Sequence, residues 1–113
     1  MDSEISIKFN SLLKKLEKRF GKDLDIPAIL FVIGINELGL IQKKFNKKEK
    51  IDLMHVAVCT LLEPYGHYNY LGKDADKWPH FELAKNIPPL SINEQEELLT
   101  IAILNYFSSR SSD

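Results

Sequence analysis

Residues 26–65 read IPAILFVIGINELGLIQKKFNKKEKIDLMHVAVCTLLEPY. They form two helical patterns joined by a short basic turn. Pro27 suits the first turn of a helix, where its missing N–H costs nothing. From Ala28 to Gln42 the apolar residues go all round: Ile29, Leu30, Phe31, Val32, Ile33, Ile35, Leu38, Leu40 and Ile41. A helix apolar on every side belongs at the centre of a bundle. The β-branched and aromatic run Ile29–Ile35 would also suit a strand, but its length and the Pro27 start favour a helix. Gly34 and Gly39 each weaken a helix by about 1 kcal/mol relative to alanine. Glycines kept at that cost often mark close approach of a backbone or a ligand. Lys43–Lys50 is the basic turn. Within it, Asn46 and Glu49 have the spacing of a capping box, so the next helix starts near Lys47. Its apolar stripe reads Ile51, Met54, Val58, Leu61 and Leu62, with His55 at the margin, then Cys59, then Asp52. Pro64 and Gly66 end it.

Upstream, Ile5–Phe20 is amphipathic. Ile5, Phe9, Leu12, Leu13, Leu16 and Phe20 share a stripe, while Lys8, Lys14, Lys15, Lys18 and Arg19 lie off it. That basic face is an ordinary solvated one, or it meets an acidic partner. Gly21 is a natural stop. Downstream, residues 65–90 hold Tyr65, Tyr68, Tyr70, Trp78, Phe81, His67 and His80, with prolines around them. This is too aromatic for a disordered linker. It reads as a loop-rich lid in which Pro79 opens a short helix to about Lys85. Ser91 and Glu94 make the clearest capping box of the chain, and an apolar helix follows. Ile101 and Leu104 fall off its main stripe. The expected fold is therefore all-α: a four-helix bundle-like single domain, with helices at about 4–20, 27–43, 47–64 and 91–108. The aromatic insertion at 65–90 joins the third and fourth helices, and 108–113 is a frayed tail.

The chain has 113 residues, 44% apolar and 27% charged, with net charge −1. That is one ordinary domain, large enough for a core without staples. The charge argues against a nucleic-acid binder or a polybasic membrane protein. Cys59 is the only cysteine, so no internal disulfide forms and a cytoplasmic, reducing location is expected. No signal peptide is read at the N-terminus. No apolar run approaches the ~20 residues of a membrane span.

Three constellations offer chemistry. Asp52, His55 and Cys59 share one helix edge, where a carboxylate can orient an imidazole and an imidazole can activate a thiol. Asn36 and Glu37 interrupt an apolar helix. A buried carboxylate there must be paired or have its pKa raised, which makes Glu37 and His55 the catalytic candidates. The lid adds His67, Tyr68, Trp78 and His80. With Asn36, Glu37 and His55 these are the ligand-binding candidates. Asp52, His55, His67 and His80 are a weak metal set, because their spacing matches no recognised pattern. Asp74 and Asp76 do not open a calcium loop, since Pro79 and Lys85 occupy the positions that need glycine and glutamate. No phosphate loop, nucleophile elbow or zinc-protease motif is present, and no cofactor is expected.

No function follows from these residues alone, and they argue for binding more than for an enzyme. The leading expectation is a small adaptor or regulatory domain acting through a protein partner or a homo-oligomer built on residues 98–107. The alternatives are a pocket between Glu37, His55 and the 65–81 lid, serving a ligand or a reaction, and a His/carboxylate metal site.

Overall fold

A computed structural model of the chain describes residues 3–39, 44–84 and 90–110, the side chain of Arg110 excepted. In order these form α1 (Ser3–Phe20), α2 (Ile26–Leu38), α3 (Lys47–Leu62), a 3-10 turn (Glu63–Tyr65), β1 (Tyr68–Lys73), β2 (Pro79–Leu83) and α4 (Ile92–Arg110). Four helices and a two-stranded antiparallel sheet make the protein mixed α/β, which overturns the all-α bundle expected from sequence. The chain divides into two compact units. One is residues 25–87; the other joins the two chain ends, 1–24 and 88–113.

In the 25–87 unit, Asp25 caps α2 by accepting the Ala28 N–H on Oδ1 at 2.9 Å. Its helix stops at Leu38, because Gly39 takes the left-handed conformation (φ 72°) and donates its N–H to Ile35 O. This glycine ends the helix earlier than the expected 43, and residues 40–43 lie outside the described ones. Asn46 and Glu49 close the capping box at α3, at 2.8 and 2.9 Å. Just before it, Phe45 meets Phe31 of α2 edge-on at 5.9 Å.

The two helices cross at Gly34. A Cβ there would land on the Leu53 carbonyl oxygen and 2.7 Å from its carbon, so glycine is what lets the backbones approach. This crossing also decides which side of α3 is buried. Leu53, Val56, Ala57, Cys59 and Leu61 are buried, whereas Ile51, placed on the apolar stripe from sequence, is 56% exposed. Apolar residues lie on several sides of α3, and the approach at Leu53 selects one of them.

The expected lid is a β-hairpin. Tyr68 pairs with Leu83, Asn69 with Glu82, Tyr70 with Phe81, Gly72 with His80 and Lys73 with Pro79. Leu71 bulges out of the ladder between Tyr70 and Gly72. In the loop, Lys77 donates its N–H to Asp74 O and takes φ 69°, while Asp74 donates to Trp78 O. A three-residue loop ending in a left-handed residue is a common hairpin closure. Pro79 thus starts a strand, not a short helix. Proline fits either start, since both leave its missing N–H unused.

In the unit of the chain ends, α1 and α4 are in contact. Leu16 of α1 is buried, with Thr100, Ala102, Ile103 and Tyr106 of α4. Ser91 and Glu94 form the capping box expected of them, at 2.9 and 3.1 Å. From this start α4 continues to Arg110, past the expected 108. No helix among the described residues is long and apolar enough to cross a membrane.

Candidate functional site

The 3.6-residue turn of α3 puts His55 one turn before Cys59, and their Nε2 and Sγ atoms are 3.6 Å apart. Cys59 is only 1% exposed. Burial pushes its thiol up to about 11. The thiol therefore stays protonated at neutral pH and is a poor nucleophile. His55 lies on the exposed side of the helix, and Asp52 is exposed one turn earlier. Tyr68 comes from β1 to meet the His55 ring edge-on at 6.3 Å. Its hydroxyl pKa is raised, first by burial and then by the neighbouring Cys59. The structure thus joins His55, Cys59 and Tyr68.

The other candidates fall elsewhere. His67 shapes the chain with its backbone: its N–H donates to Leu62 O at 3.2 Å, and its carbonyl accepts from Ala84 at 3.0 Å. Asp74 organises the hairpin loop. Its Oδ1 accepts the N–H groups of Asp76 and Trp78, at 2.9 and 3.0 Å. Its Oδ2 meets His80 Nε2 at 2.7 Å. The His80 bond, followed by those N–H groups, lowers the Asp74 pKa. His80 is thereby paired at the loop, on the side of the sheet opposite Phe81. Trp78, two residues earlier in the chain, is half-buried. On α2, Asn36 is exposed and Glu37 half-buried. Among the described residues no three His, Cys, Asp or Glu side chains come together as a metal site, so Asp52, His55, His67 and His80 form no such group.

A different feature emerges on the hairpin. Directly paired residues share a face, and alternate residues do too. One face therefore carries Tyr68, Tyr70, Pro79, Phe81 and Leu83, with Lys73 at its loop end opposite Pro79, and the Tyr70 and Phe81 ring centroids are 5.4 Å apart. The opposite face carries Asn69, His80 and Glu82. The apolar face meets α3 at Tyr68, yet Tyr70 is 52% and Leu83 69% exposed. The bulged Leu71 is 60% exposed beside them. Sequence reasoning missed Leu71 and Leu83 as surface residues. The available signal was the period of two in Tyr68–Tyr70 and in Pro79–Phe81–Leu83.

Comparison with protein-family models, curated proteins and solved structures finds no match to this chain.

Proposed function

We propose that this chain is a non-enzymatic interaction module whose hairpin is the surface that meets a protein partner. The observation that carries the reading is the cluster of exposed Tyr70, Leu71 and Leu83 on one small sheet. Large apolar side chains concentrated on one exposed element mark an interaction surface more often than scattered ones do. The buried, protonated Cys59 thiol speaks against thiol chemistry at the His55–Cys59 pair. Residues 98–107 remain a second contact candidate, but their apolar side chains are buried or half-buried. A cytoplasmic setting goes with this reading, since the single cysteine is unpaired.

The test is selection of phage-displayed random peptides on the immobilised chain. Peptides are expected to be enriched, and Tyr70→Ser or Leu83→Ser should weaken their capture roughly tenfold, the effect of losing one well-packed contact residue. Circular dichroism should be unchanged. No enrichment, or enrichment insensitive to both substitutions, overturns the reading.

A further inference from the structure

The positive charge of the chain is gathered in one place. Residues 43–50 hold five lysines and one glutamate, whereas the rest of the chain holds ten basic and fifteen acidic residues. Lys47, Lys48 and Lys50 fall within the first four residues of α3. Cations are disfavoured there, because the unsatisfied N–H groups already make that end of a helix positive. Helix stability thus gives no reason for them. All three are exposed, and among the described residues none is ion-paired. Glu49, in the same turn, holds the Asn46 N–H on its carboxylate at the cap. Lys47 and Lys48 lie one turn before Ile51, and Ile51 one turn before His55, all on the exposed side of the helix. Ile51 is 56% exposed, and Asp52 is the one exposed acid of α3. At His55 this side reaches the hairpin, whose Tyr68 meets the imidazole edge-on. The exposed side of α3 and the apolar face of the hairpin are therefore continuous through that contact.

We infer that this continuous surface docks an acidic, amphipathic protein segment, whose apolar side chains cover the hairpin face and Ile51 and whose carboxylates meet Lys47 and Lys48. This rests on the hairpin being a protein contact surface, and it names the chemistry of the partner. Charge complementarity selects it. Whatever covers Ile51 sets its neighbouring groups among unpaired ammonium groups, where Asp or Glu is attracted and Lys or Arg repelled. The helix also sets the spacing. Lys48 and His55 are seven residues apart, about 10 Å along the axis. The partner's acids therefore stand about two helical turns, or about three extended residues, from the groups that cover the hairpin. The acidic balance of the rest of the chain separates a short segment from a long polyanion. Exposed charges act over about 10 Å at 0.1 M salt, so a short acidic segment meets the lysines alone. An anionic membrane or a nucleic-acid duplex would face the acidic remainder of the chain as well.

The test uses the random peptides selected on the full chain. Those enriched are expected to hold more Asp and Glu than the unselected library. The tightest of them, synthesised with a fluorescent label, is then titrated by anisotropy. Lys47→Glu combined with Lys48→Glu should raise its dissociation constant roughly tenfold, because two exposed contacts turn from attraction to repulsion. The wild-type affinity should fall with added salt, and the double variant should lose most of that dependence. Unfolding does not explain such a loss, since acids at the start of α3 favour the helix, and circular dichroism checks it. Ile51→Ser should weaken binding as well. Enriched peptides without acidic bias, or an affinity indifferent to both lysines, overturn the inference. So does a chain that sediments with phosphatidylserine vesicles through Lys47 and Lys48 while its peptides show no acidic bias. Capture that still depends on Tyr70 and Leu83 would in those cases leave the hairpin a contact surface, whereas no enrichment at all removes both.

Discussion

Cys59 shows how one buried residue changes the meaning of a motif. Its spacing from His55 is that of an activated thiol pair, and the atoms do come within 3.6 Å. Burial reverses the chemistry, because the thiolate is the form that burial penalises. The shift also ties stability to pH. The ordinary thiol value is 9.0, and burial raises it to about 11 in the folded chain. Between those values the folded state holds a proton that the unfolded state has lost. The stabilisation is fully present below the unfolded value and declines as pH rises through the window, by at most about 3 kcal/mol. Cys59→Ala should flatten this alkaline decline. Urea unfolding of both proteins on either side of the window measures it, and equal slopes would show that the thiol is not held protonated by the fold. Spacing made the His55–Cys59 neighbour relation legible in the sequence. The depth of the thiol was not legible, because it depends on which side of α3 faces inward.

That side is set by the crossing of α2 with α3. Gly34→Ala would gain helix propensity of about 1 kcal/mol. It would also drive a methyl group into the Leu53 backbone, which has no rotamer to escape through. Overpacking of this kind costs about 1–3 kcal/mol, so a net destabilisation of about 2 kcal/mol or less is expected, read from urea unfolding. A gain in stability would mean the helices separate easily. The helices themselves were legible from their starts: Pro27 sits in the first turn of α2, and Asn46 with Glu49 and Ser91 with Glu94 cap where their spacing placed them. The hairpin was not legible in the same way. Its strands are short, its loop carries Lys77 where glycine would announce the turn, and Pro79 fits a helix start equally well. What distinguishes a strand there is the alternation of Tyr68 with Tyr70 and of Phe81 with Leu83, a signal only a few residues long. The aromatic residues Tyr68, Tyr70 and Phe81 of that segment belong to the hairpin. Its period was what decided the kind of order.

At the scale of the molecule, the two compact units differ in how the chain builds them. Residues 25–87 are continuous, whereas the other unit joins segments from both ends and must close a long loop to form. The continuous unit also carries its own specifications: a cap at the start of each helix, the Gly34 crossing, the Phe31–Phe45 contact and a hairpin anchored through Tyr68 on His55. Its length is near the lower limit at which a domain holds together without staples. A peptide of residues 25–87 is therefore expected to fold alone with modest stability, showing cooperative thermal unfolding by circular dichroism. It should also retain the His55–Tyr68 and Tyr70–Phe81 contacts by nuclear Overhauser effects. An isolated α1 peptide, by contrast, should be mostly unfolded in water, where a lone helix of this length is marginal. A random-coil spectrum for 25–87 would show that the chain ends are needed to fold it. A folded peptide would put α2, α3 and the hairpin in a self-sufficient unit, with the exposed face of Tyr70 and Leu83 available without the rest of the chain.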